Sequence, residues 1–251
     1  MPQYVTIQLE NREAFFLSRL MNMQEMPRFS NPHIKDWAEV KQQLVADGLL
    51  IEDGGELIID RTACSMLQTC KLSSFVARLY LEGHGAVSEI YYYLTSESII
   101  ELEKQADISL LTAVGGMDDY MNIIGNRLEA AEDTTDMRAS VSAATYEQLA
   151  KELAGSSEER VARMLIEKEK MLPFVAKAFA HSWKNAAFSG EYKMLAKAKD
   201  GWESKSMRFI TSESGNWLLL PHKQRFEIFN VSDMELVEAM FLLTVSVLQP
   251  D

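Results

Sequence analysis

The tetrapeptide Thr-Ser-Glu-Ser occurs twice in this chain, at residues 95–98 and 211–214, and each copy stands between apolar runs. The first copy reads IYYYLTSESIIEL and the second MRFITSESGNWLLL. Further on, each copy reaches another apolar segment, then a Val and a helix start, with Met117 standing opposite Met234. A concordant order of elements around two copies predicts an internally duplicated fold, because a repeated unit constrains architecture before any single residue does.

The flanking periodicities supply the elements. Phe16, Leu17 and Leu20 fall at helical spacing within 12–24, and Pro27 and Pro32 interrupt the helix. Asn31-Pro32 resembles a second helix start, and Trp37, Val40, Leu44 and Val45 carry that helix over 34–47 to Gly48. Asp53-Gly54-Gly55 between two apolar runs predicts a hairpin, since glycine supplies the positive φ of tight turns. A helix over 61–71 follows. Period-two or continuous apolar runs over 74–114 then predict a four-stranded antiparallel meander, closed by a helix over 117–131.

Residues 1–131 thus form an expected N-terminal half, 132–140 a connector poor in large apolar residues, and 141–251 a C-terminal half, all in one compact unit. In the C-terminal half, helices are expected at 146–153, after the capping-box spacing Ser156-x-x-Glu159, and over Val175, Phe179, Trp183 and Ala186. Three strands, SMRFITS, NWLLLPH and QRFEIFNV, precede a last helix with a second capping box at Ser232 and Glu235. Nearly every residue from there to Leu248 is apolar, which predicts burial on most sides. The class is α+β.

Two helices, a hairpin and a helix also describe a winged-helix module, so a transcriptional regulator is one alternative. The net charge of −12, the pI near 4.9 and the acidic wing EDGGE oppose it, because phosphate binding needs clustered Lys and Arg. No nucleic-acid partner is expected. The amino-terminal MPQYVTIQLENREAFF shows no basic segment followed by an apolar core, and Glu235 and Glu238 interrupt the most apolar stretch. The expectation is a cytoplasmic chain without membrane insertion. Cys64 and Cys70, six apart on one helix, point to different faces, which disfavours a disulfide.

An enzyme of unknown chemistry is the second alternative, and no motif supports it. His33, His84, His181 and His222 are scattered, without metal-ligand spacing, and no GxGxxG, P-loop or GxSxG pattern occurs. Catalytic residues, cofactors and metals are therefore expected to be absent. The aromatic content of the C-terminal half is the better clue. Phe174, Phe179, Trp183, Phe188 and Trp217 are candidate partner-binding residues, since aromatics and Met, of which there are 14, supply contact area in a groove that receives a helix.

The order of elements resembles a known family. The Leu44 to Leu49 step, the hairpin LLIEDGGELII, the helix to Lys71, the meander from Ser74 to Val114, the helix after it and the second similar half are similar to the EspG-type chaperones of type VII (ESX) secretion systems, including their EsaE-like Gram-positive relatives. The resemblance implies a quasi-twofold central antiparallel sheet flanked by helical bundles. It also implies a cytosolic chaperone that keeps α-helical secreted substrates, helical hairpins of the WXG100 or LXG kind, soluble for export. It carries over no catalytic residue.

Overall fold

The computed structural model describes residues 4–29, 36–132, 134–152 and 156–248, so the helix start expected at Pro32, and His33 with it, lie outside the described residues. From the amino terminus run β1 (Thr6–Glu10), α1 (Asn11–Leu20), α2 (Trp37–Ala46), the hairpin β2 (Leu50–Asp53) and β3 (Glu56–Ile59), and α3 (Arg61–Leu72). The meander β4 (Phe75–Gly83), β5 (Ala86–Leu94), β6 (Ile99–Gln105) and β7 (Ile108–Gly115) ends in α4 (Met117–Arg127). The pattern then recurs: β8 (Arg138–Ser142), α5 (Ala143–Glu152), α6 (Glu158–Glu169), α7 (Pro173–Lys184), and the meander β9 (Phe188–Ala198), β10 (Gly201–Thr211), β11 (Asn216–His222) and β12 (Arg225–Val231), ending in α8 (Asp233–Leu248).

Ten strands form one antiparallel sheet in the order β1-β7-β6-β5-β4-β9-β10-β11-β12-β8. Read inward from either edge, the order is the same: a short strand, then a meander taken from its last strand to its first. Each edge strand also leads straight into its own bundle, β1 into α1 and β8 into α5. This is the duplicated, quasi-twofold sheet with flanking helical bundles that the repeat implied.

By contacts the chain gathers into two compact units: Met1–Arg78 with Ser88–Tyr120 and Leu195–Glu203, and Leu79–Val87 with Met121–Met194 and Ser204–Asp251. In the first, Leu17, Leu44, Leu67, Val76, Tyr93 and Leu111 lie in one core cluster. Its helices start where polar side chains take up orphan N–H groups: Glu10 and Glu13 in a reciprocal box at α1, Asp36 at α2 and Asp60 at α3. In the second, Val161, Leu165, Val175 and Phe179 of α6 and α7 cover Ile210, Trp217, Leu219 and Ile228 of the sheet. Ser157 rather than Ser156 caps α6, accepting from the Arg160 N–H at 3.4 Å.

The repeated tetrapeptide sits in corresponding turns but is out of step by one residue. In the first copy Leu94 pairs with Ile99, so all four letters form the turn, closed by the Thr95 hydroxyl to the Ser98 carbonyl at 2.8 Å. In the second, Thr211 is the last residue of β10, and Ser212 closes the turn onto the Gly215 carbonyl at 2.8 Å. Both turns also lean on the helix before their meander, through Thr69 with Ser98 and Ser182 with Ser214.

The connector is held by two buried asparagines. Asn216 accepts from the Ala131 N–H at 2.9 Å and donates to its carbonyl at 2.8 Å, which draws residue 131 off the end of α4. Asn230 accepts from the Thr135 N–H at 2.8 Å and from both Thr134 and Thr135 hydroxyls. The chain then runs on as β8, pairing with β12. Side-chain hydrogen bonds thus order a stretch that has too few apolar residues to order itself.

Candidate partner-binding site

The aromatics proposed from sequence converge on the C-terminal bundle. Phe179 on α7 meets Trp217 on β11 and Trp183 one helical turn on, both with ring centroids 5.2 Å apart. Trp183 meets Tyr146 at 5.1 Å, and Tyr146 meets Phe226 at 4.9 Å. The Arg208 guanidinium lies 5.1 Å from the Tyr146 centroid and 5.4 Å from that of Phe226. Burial raises the Tyr146 phenol pKa, and Arg208 opposes that rise without cancelling it.

This ladder fills the space between bundle and sheet, where the sequence placed a groove. Phe179 and Trp217 are fully buried, so neither has surface to offer a partner in this conformation. Trp183 and Phe188 are half-buried, and Phe188 takes the edge of the His84 ring at 5.0 Å. Phe174 alone of the five is exposed, at 62%, beside equally open Leu172 at the corner between α6 and α7. That corner is a small apolar prominence on the bundle.

An open concavity lies on the other face of β11 and β12. Strand alternation sends Trp217 and Ile228 into the bundle, whereas paired Leu218 and Phe229 face away with Leu220. These three line a cavity of about 400 Å³ with Met137, Arg138 and Glu235. The Arg138 guanidinium stands 5.8 Å from the Phe229 centroid, giving the pocket an apolar floor and a charged rim. Sequence reasoning missed this pocket because Arg138 falls within the expected connector, whose small residues give no strand signal.

No arrangement suited to catalysis accompanies these surfaces. His84 pairs with Glu129 at 3.2 Å and His181 with Glu158 at 3.0 Å, both at exposed positions. Cys64 and Cys70 are free, and burial drives the Cys70 thiol far above its ordinary pKa, which leaves it protonated and unreactive. No cluster of three or more potential metal ligands occurs among the described residues, nor is any described helix long and apolar enough to cross a membrane.

One carboxylate is a structural anchor of the bundle. The Glu169 side chain is 5% exposed, and it accepts from the Ser142 hydroxyl at 2.6 Å, the Ser142 N–H at 3.1 Å and Arg225 at 2.9 Å. Burial alone would raise its pKa, but these bonds and that of Thr145 outweigh it, so the carboxyl titrates below its ordinary range. A lowered folded pKa gives stability that is present above the unfolded value of about 4.3 and lost as pH falls through the folded one. Glu169→Gln should therefore reduce stability at pH 7 by about 1.5–3 kcal/mol, as expected for charge-assisted bonds. The gap should close below roughly pH 4, read from urea midpoints across the pH range.

No protein-family model matches the chain, and no curated protein matches it by sequence. Among solved structures, the Mycobacterium tuberculosis type VII secretion system chaperone EspG5, in its complex with the PE25-PPE41 dimer, superposes with a TM-score of 0.69. The alignment covers 97% of this chain and 96% of that one at 8% identity. This chain has the EspG5 fold. Agreement over nearly the whole of both chains extends to the sheet and to both bundles. An alignment to the C. crescentus β sliding clamp has a TM-score of 0.14 and carries no argument.

Proposed function

We propose that this chain is a cytosolic chaperone or adaptor of a type VII secretion system, binding an α-helical protein substrate and keeping it soluble for export. The observation that carries this reading is the end-to-end likeness to EspG5, whose structure holds a PE25-PPE41 dimer. The molecule offers the surfaces such a task requires: an exposed apolar corner at Leu172 and Phe174, and an apolar pocket over Leu218, Leu220 and Phe229. Apolar patches of this kind cover the exposed stripe of an amphipathic helix and suppress its aggregation. The substrate class we favour is a secreted helical hairpin of the WXG100 or LXG kind. The exposed, acidic tip of the β2–β3 hairpin, with Asp53 and Glu56, gives phosphate nothing to bind, so the winged-helix reading receives no support.

Co-expression with small helical-hairpin proteins encoded beside it tests the proposal. A stoichiometric complex that increases the solubility of the partner is expected, and recovery of no complex with any of them would defeat the reading. Phe174→Asp should weaken capture at least tenfold while shifting the melting temperature little, because its side chain is already in water. Unchanged capture would move the contact away from this corner.

A further inference from the structure

The surface of α8 is unlike that of an ordinary exterior helix. Leu236, Met240, Thr244 and Val247 turn inward and are buried. The opposite side should then be polar. Instead it carries Met234, Glu238, Phe241, Val245 and Leu248, whose spacings of four, three, four and three are those of a coiled-coil seam. Met234 is 77% exposed, and Leu242, which flanks the seam, is 58% exposed. From Ala239 to Leu248 the helix has no charged residue on any side.

We propose that α8 is a self-association surface, pairing antiparallel with α8 of a second copy of this chain about a twofold axis at Phe241. Charge selects both the partner and its direction. Glu238 is the one charge within the seam, and an antiparallel helix centred on Phe241 brings it level with Thr244 of the second copy, beside Val245 and Ser246. Lys205 stands there: its ammonium donates to the Ser246 carbonyl at 3.3 Å, at the negative end of α8. Each Glu238 therefore meets the Lys205 of the other copy, twice over by symmetry, as an isologous interface requires. The same register sets Phe241 against Phe241 and Met234 against Leu248. A parallel pair would instead oppose Glu238 to Glu238 and bring two positive helix ends together. Self-association of this kind is a property of the chain alone and does not rest on the chaperone reading.

Sedimentation equilibrium of the purified full chain at 0.15 M salt decides it. The expected result is a reversible, concentration-dependent dimer of twice the 28.4 kDa chain mass. Phe241→Glu should raise the dissociation constant at least tenfold. Because Phe241 also touches its own surroundings, a charge exchange at two exposed positions provides the independent arm: Glu238→Lys and Lys205→Glu should each weaken the dimer severalfold, and the double variant should restore it. A chain monomeric up to hundreds of micromolar overturns the proposal, including the case in which α8 receives a helix from a different protein. A dimer indifferent to all of these substitutions overturns it equally.

Discussion

Phe179→Ala is expected to lower the free energy of unfolding by roughly 3–5 kcal/mol, the range for removing a buried aromatic ring from a packed core. Phe179 is fully buried between Trp217 and Trp183, with Val175, Leu165 and Ile228 in the same cluster. Its removal leaves a void bounded by large rings that cannot collapse inward without leaving their rotamers. At about 2–4 °C per kcal/mol for a chain of this size, the melting temperature should fall by roughly 10 °C. Phe174→Ala, at a side chain already 62% exposed, should change stability by less than about 0.5 kcal/mol. Thermal unfolding of the two variants side by side makes the comparison. A Phe179 variant that melts like wild type but no longer captures a partner would return this residue to a binding groove and contradict its placement in the core.

The pairing of these two phenylalanines shows where sequence reasoning stops. Both are aromatic residues on one helix, and helical spacing alone does not say which side faces the sheet. Position 179 repeats with Val175, Ala176 and Ala180 on the buried side, whereas Phe174 follows Pro173 at the first turn and points out. The capping box at Ser232 and Glu235 was legible because its chemistry is local, and it stands as read, with the Ser232 N–H on Glu235 at 2.8 Å and the Glu235 N–H on Ser232 at 3.2 Å. Three strands, β1, β8 and β9, were missed for differing reasons. In β1 only Ile7 and Leu9 carry the alternation, too short a run to register. In β8 the residues are small, and strand pairing with β12 makes the element. In β9, Tyr192 and Met194 are buried at period two, but the Lys and Ala between and after them favour a helix in isolation. The order of the sheet was legible only through the repeat, since duplication links distant segments that local periodicity cannot.

Gly83→Ala and Gly190→Ala are expected to destabilise the protein by about 1–3 kcal/mol or more, although each adds a single methyl group. A Cβ on Gly83 would run into the Ala187 carbonyl oxygen and lie 2.6 Å from the Phe188 ring. One on Gly190 would run into the Tyr80 carbonyl oxygen and lie 2.5 Å from the ring of Phe209. Backbone carbonyls cannot rotate aside as side chains do, and Phe209 is buried with no free volume to move into. Both clashes must therefore be relieved by moving strands, which disturbs hydrogen bonds beyond the site. Gly116→Ala is the matched control: a Cβ there would meet no atom within 4 Å, so it should be near neutral. The double variant Gly190→Ala with Phe209→Ala separates the two obstacles at that position. If the ring were the main one, the double variant would be no less stable than Phe209→Ala alone. The carbonyl of Tyr80 remains in either case, so the two losses should add, as measured by urea denaturation.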